Sequence, residues 1–212
     1  MKKIARMLDN CTVEFLMFED ETQNLSAETI VGREVQVFAH VQKGYNDFLI
    51  VTDNGKKGVI SPDGELVLPI KFSSVRMTPS VIIATHLKEL KAYHYDGKPW
   101  RFERQCRLII MDYSNDCAIL ELYRYPCPRA IYSFREKRLL FEWTKYARLV
   151  GRYWFFENKE SKYKVVCTED NLSKLWQAEE FHHFSYAVMA KIDGEYKVYL
   201  PNGCVDNLGH QL

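Results

Sequence analysis

The chain holds 212 residues, 47% hydrophobic, 14% aromatic and 27% charged, which excludes disordered and collagen-like classes and describes a globular protein with a substantial core. Twenty-nine Lys and Arg against 28 Asp and Glu leave a net charge of +1, so no overall field recruits nucleic acid or an anionic membrane. At the N-terminus, MKKIARMLDN starts positive, but Arg6 and Asp9 interrupt it and no apolar stretch with a small-residue cleavage site follows, so no secretory leader is expected. The apolar runs, such as Leu108 to Met111 and Trp154 to Phe156, fall far short of the roughly 20 residues of a membrane-spanning helix. Six cysteines, at 11, 106, 117, 127, 167 and 204, form no CxxC pair and no recurring spacing. They are expected as buried, reduced thiols in a cytoplasmic protein.

Short apolar runs then recur in chain order. They begin near Phe48 (FLIV), Val81 (VIIA), Ala118 (AILEL), Trp154 (WFF) and Ala187 (AVMAKI), at intervals of 33, 37, 36 and 33 residues. A polar turn and a second β-like run follow each: GVIS, KAYHY, AIYSF, YKVVC and YKVYL. A second turn comes in register, at Gly64, Gly97, Lys137, Asn171 and Gly203, where Gly and Asn supply the positive φ of tight hairpins. Third runs follow, ELVLP, PWRFE, LLFEW and LSKLW, and the last unit ends with CVDNL. VEFLMF from Val13, with EVQVFAHV from Glu34, makes a sixth, irregular unit. The segment from Leu172 to Phe184 holds a helical turn at most.

The pattern predicts an all-β chain, one domain over residues 1–212, built as an array of five to six three-stranded units of 33–37 residues starting near 13, 48, 81, 118, 154 and 187. A unit of that size cannot bury both faces alone, so neighbours must stack and share a core. A propeller-like ring is preferred because closure protects sheet edges, with an open solenoid-like stack as the alternative.

The stretch GKKGVISPDGELVLPIKFSSV resembles a WG-type β repeat, carried by Gly55, Gly58, Ile60, Asp63, Gly64, Val67, Pro69, Phe72 and Val75, with Lys57 where that family's tryptophan would fall. DGEYKVYLPNGCVD, from Asp193, keeps the spacing from first glycine to turn. The resemblance implies a bacterial repeat protein and supplies no catalytic residues.

Motifs for chemistry are missing from the sequence. HExxH, GxSxG, GxxxxGK[ST] and GxGxxG do not occur, so no catalytic, cofactor-binding or metal-ligating residues are assigned and no cofactor is expected. His182 and His183 would point to opposite faces of a strand, and His94 lies between Tyr93 and Tyr95. Glu19 to Glu21 reads as a solvated turn, and Glu179 with Glu180 is a further carboxylate pair. Trp100, Trp143, Trp176 and Trp154 read as core. Basic residues cluster as Arg101, Arg104 and Arg107, resembling a basic strand, and as Arg135, Lys137 and Arg138 at a hairpin tip.

The leading functional reading is a non-enzymatic protein-interaction or scaffold module. Its first-turn loops, DNGKKG, HLKEL, YPCPR, NKESK and DGE, differ between units, and Arg129 and Lys162 are the binding residues expected on that face. The partner is expected to be a protein, with no nucleic acid and no membrane. A small-ligand or glycan-processing enzyme with a site at a channel mouth is the competing reading.

Overall fold

The computed structural model describes residues 2–18, 30–113, 116–123, 125, 127–144, 146–151, 153–157, 163–167, 175–202 and 205–209, with the backbone alone for 142, 146, 163–167, 175 and 205–209. All regular structure among these is β, and among the described residues no helix is long and apolar enough to cross a membrane. The chain divides into two compact units, Met1–Arg101 and Phe102–Leu212.

The first unit opens with an antiparallel sheet of β1 (Lys2–Met7), β2 (Thr12–Phe18) and β3 (Ile30–Val37). A four-stranded sheet follows, β4 (His40–Lys43), β5 (Leu49–Asp53), β6 (Lys56–Ile60) and β7 (Leu66–Phe72). Then come β8 (Ser74–Met77), β9 (Ile82–His86) and β10 (Glu89–Tyr93), each antiparallel to the next. In the second unit β11 (Cys106–Asp112), β12 (Cys117–Leu122), β13 (Arg129–Ser133) and β14 (Arg138–Thr144) pair in order. Two more four-stranded sheets complete it. They are β15 (Tyr146–Val150), β16 (Tyr153–Glu157), β17 (Tyr163–Cys167) and β18 (Leu175–Ala178), and then β19 (Glu180–His183), β20 (Val188–Ile192), β21 (Glu195–Tyr199) and β22 (Val205–Gly209).

The five expected apolar runs are β5, β9, β12, β16 and β20, each starting within a residue of the position read from the sequence. Each of these runs also has a strand ahead of it, so β4–β7, β11–β14, β15–β18 and β19–β22 are four-stranded where the sequence suggested three, while β8–β10 keeps three strands. VEFLMF fits the same plan, because it is β2 and β1 precedes it. Leu175–Ala178 and Glu180–His183 are strands, so the third run LSKLW contributes to β18 and the described part of this segment holds no helical turn.

Stacking explains why the middle strands lose the usual alternation of apolar and polar residues. In β5, Leu49 and Val51 join a core with Val13 and Phe15 of the preceding sheet, while Ile50 joins one with Val75 and Ile82 of the following strands. Both faces are buried, so consecutive residues must all be apolar. In the second unit Trp154 and Phe156 pack with Ile119 and Ile131, whereas Tyr153 and Phe155 face Val188 and Ala190. Trp154 is wholly buried, but Trp100, Trp143 and Trp176 are only half-buried, a partial correction to their reading as core.

The turn chemistry repeats at the level of single hydrogen bonds. In the turn after β6, Gly64 N–H donates to Ser61 C=O (3.0 Å) and Ser61 N–H to Glu65 C=O (2.9 Å). After β10, Gly97 N–H donates to His94 C=O (3.0 Å) and His94 N–H to Lys98 C=O (2.9 Å). Gly64, Gly97 and Lys137 all have positive φ, as the turns require, while Asn171 and Gly203 lie outside the described residues. Gly58 has a different reason to be glycine. A Cβ there would sit 2.7 Å from the Leu68 carbonyl oxygen, where β6 and β7 shift register.

Candidate functional site

Among the described residues, the connections between the second and third strands of the units separate into two kinds, those over 19–29 and 158–162 lying outside them. Asn54–Gly55, Leu87–Lys88 and Asp193–Gly194 are two-residue turns with positive φ at both positions, which suits the right-handed twist of the paired strands. The loop variation read from the sequence is therefore smaller than it looked, since DNGKKG and HLKEL are mostly strand. The connection from β12 to β13 is different, running over residues 123–128.

This longer loop lies at one end of the β11–β14 sheet. Register brings Cys106 opposite Leu122, Glu121 opposite Arg129, and Arg129 opposite Thr144, so all four strands present residues to that end. Leu122 N–H donates to Pro128 C=O (3.0 Å) and closes the loop at its base. Tyr123 is 68% exposed and Tyr125 95% exposed, unusual for large aromatics. Cys127 adopts φ 57 and is exposed, against the expectation of buried thiols; Cys11 and Cys106 are half-buried and Cys117 buried.

The segment before β11 crosses to the same place. Phe102 packs edge-on against Tyr132 of β13 (5.2 Å between centroids), and the Arg104 guanidinium lies 5.9 Å from the ring centre of Trp143 on β14. An open depression of about 560 Å3 remains between this segment and the strand end, lined by Arg104, Gln105, Leu122 and Tyr123. Residues 101–105 form no strand, so of the basic-strand cluster read from the sequence only Arg107 lies in β11.

Arg129, expected as a surface contact, sits at the foot of this loop and takes part in a cross-strand ion cluster. Its Nε donates to Glu121 Oε2 (2.9 Å), Arg107 Nε donates to Glu121 Oε1 (2.9 Å), and Arg129 Nη1 also reaches Ala147 C=O (3.3 Å). Glu121 is buried while both arginines keep an exposed flank. Burial works to raise the Glu121 carboxyl, yet the hydrogen bonds from Arg107 and Arg129 outweigh it and hold the group below the ordinary glutamate range. The sequence signal was a carboxylate inside the apolar run AILEL, since a buried charge needs partners. The first unit repeats the device with Glu14, which pairs with Arg6 and with Arg33 (2.8 Å). Lys162 and the acidic residues 19–21 lie outside the described residues.

The other polar residues noted in the sequence are engaged locally. Glu179 pairs with Lys191 (3.2 Å), and Glu180 accepts from the Tyr196 hydroxyl beside His182. His94 stacks on Trp100 at 4.1 Å. No cluster of three metal-ligating side chains occurs among the described residues.

No family model matches this sequence, and neither does any curated protein. Solved structures resemble it at low identity. A eukaryotic initiation factor is 10% identical, with all of this chain and 63% of that one covered, at a TM-score of 0.37. The WD40 beta propeller domain of Doa1 is 9% identical over 98% of this chain and 79% of its own, at 0.29. BamB from Moraxella catarrhalis is 10% identical over 97% and 84%, at 0.26. The chain spans less than two thirds of the length of the initiation factor structure. What this chain is remains at the level its own sheets define, a β-repeat protein.

Proposed function

We propose that the chain, residues 1–212, is one WG-like repeat domain that binds another protein and performs no catalysis. The loop between β12 and β13 is the centre of that activity. The observation that supports this is the contrast among the described connections: three are turns of the minimum length, while residues 123–128 are set out beyond what the hairpin needs and hold two tyrosines in solvent. Tyr, Trp and Arg are the residues that concentrate binding energy at protein interfaces, and here Tyr123, Tyr125, Trp143 and Arg104 share one sheet end. Arg129 anchors the loop and keeps an exposed flank for contact, with Lys162 as a second contact from the neighbouring repeat's loop.

A photo-crosslinking residue at position 125, expressed in cells, tests the reading. One recurrent crosslinked protein is expected from position 125 and none from position 65, which lies in a second-turn connection. Absence of any crosslinked species, or turnover of a small substrate abolished by a single carboxylate or histidine substitution, overturns it.

A further inference from the structure

The geometry points to an acidic peptide segment as the partner element that docks between Arg104 and Tyr123, an inference that rests on the interaction reading above and names the chemistry of its ligand. The first argument is charge. The described residues of the two segments that build the site, 103–107 and 121–129, include Arg104, Arg107 and Arg129 against Glu103 and Glu121, with no lysine or aspartate. Glu121 is already engaged by two arginines, and no carboxylate is paired with Arg104 among the described residues. An exposed guanidinium with an aromatic beneath it keeps its forked donors free for a carboxylate, and the ring fixes the plane in which they lie.

The second argument is shape. The depression is open and lined by Arg104, Gln105, Leu122 and Tyr123, which offers one charged, one amide, one aliphatic and one aromatic contact in a row. That sequence of contacts suits an extended chain with a carboxylate and a neighbouring apolar side chain, and it does not enclose a small molecule. The third argument is order. Leu122 N–H to Pro128 C=O, and Arg129 to both Glu121 and Ala147, fix the loop base before any partner arrives, so less freedom is lost on docking.

A nucleic acid would present a similar anionic character, but it carries a charge on every nucleotide and needs a long basic track. Overall the chain has 29 cationic residues against 28 acidic ones, which leaves no general excess from which to build such a track. A short acidic stretch fits a patch of that extent.

The test uses the full chain, immobilised, against a phage-displayed library of random peptides, followed by affinity measurement on the enriched sequences. Enrichment of Asp- and Glu-rich peptides with an apolar residue is expected. Arg104→Ala and Tyr123→Ala should each weaken them by about tenfold or more, Arg104→Lys by less, and added salt should weaken binding to the wild type. Both variants change exposed side chains, and an unaltered circular dichroism spectrum checks that each still folds. Enrichment without acidic bias, or acidic peptides indifferent to both substitutions, overturns the inference. So does a single-stranded oligothymidylate that binds more tightly than the peptides and loses binding in Arg104→Ala. If crosslinking from position 125 still captures a protein while acidic peptides fail, the interaction reading stands and only the acidic docking falls; if both fail, the interaction reading falls with it.

Discussion

Gly97 approaches Val67 so closely that a β-carbon added to it would lie 2.2 Å from the Val67 carbonyl oxygen. The second turn of one repeat is thus seated directly on the backbone of β7 of the preceding one, and φ +80 at Gly97 adds a conformational reason for glycine. Gly97→Ala should therefore destabilise by roughly 2–4 kcal/mol, combining the positive-φ penalty with a clash that only backbone movement can relieve. Gly64 has similar φ, but its added carbon would meet the flexible Lys3 side chain at 3.0 Å, so Gly64→Ala should cost only about 1 kcal/mol. Urea melts of the two variants check the order; equal losses would mean that the Val67 contact does not hold the turn.

Leu87 and Lys88 occupy the turn that Asn54 and Gly55 occupy in the preceding sheet, with φ 50 and 68 against 47 and 70. Neither leucine nor lysine favours that conformation, and Leu87 is 82% exposed, so no packing offsets the strain. The double replacement Leu87→Asn with Lys88→Gly should raise stability by about 1 kcal/mol. A denaturation midpoint that stays unchanged or falls would show that the tip is stabilised by contacts of Leu87 or Lys88 themselves.

The repeat was readable because stacked sheets bury both faces of their inner strands, and Leu49–Ile50–Val51 and Tyr153–Trp154–Phe155 announce that in consecutive apolar residues. The leading strands were not, because HVQK of β4 and EFHH of β19 keep mostly exposed positions and look like loop. PWRFE reads like the other third runs, yet only an isolated bridge from Pro99 to Tyr93 forms. Proline there has no N–H to extend the ladder. At the site, Arg129 could be singled out as a loop-end cation, but its bond to Glu121 spans two strands and no local pattern reports it. Tyr123 and Tyr125 were hidden for the opposite reason: an aromatic next to an apolar run is usually core, and only the length of the 123–128 connection leaves them in solvent.

The thiols should separate by reactivity. Burial pushes Cys106 up to about 11 and Cys117 up to about 12, with the Asp112 and Asp116 charges adding to the second. At pH 8 each is then thiolate in no more than about one molecule in a thousand. Iodoacetamide at that pH should label the exposed Cys127 first and leave Cys106 and Cys117 unmodified until denaturant is added, as read by peptide mass spectrometry. Early labelling of Cys117 would contradict its burial in the core that β12 shares with Trp154 and Phe156.

Glu121 gives the fold a pH dependence whose sign follows from its partners. Burial alone would raise its carboxyl, but the Arg107 and Arg129 hydrogen bonds prevail and set it below the ordinary range. A carboxyl depressed in the folded state contributes stability that is complete above its unfolded value, about 4.3, and that is lost as pH falls through the lower folded value. Glu121→Gln keeps the shape and removes the charge, so it should cost roughly 1 kcal/mol at neutral pH, a modest figure because both arginines remain solvated without it. The gap between wild type and Glu121→Gln should then close below about pH 4. Arg129→Ala should cost more than Glu121→Gln at neutral pH, because it strips a partner and leaves the buried carboxylate in place. Its deficit should also shrink in acid, once Glu121 takes up a proton and no longer needs the guanidinium. Denaturant melts of the three proteins at neutral and acidic pH decide the matter. A gap between wild type and Glu121→Gln that is constant with pH, or a milder loss for Arg129→Ala than for Glu121→Gln, would mean that the cluster is a surface pairing with no part in holding β11, β12 and β13 together.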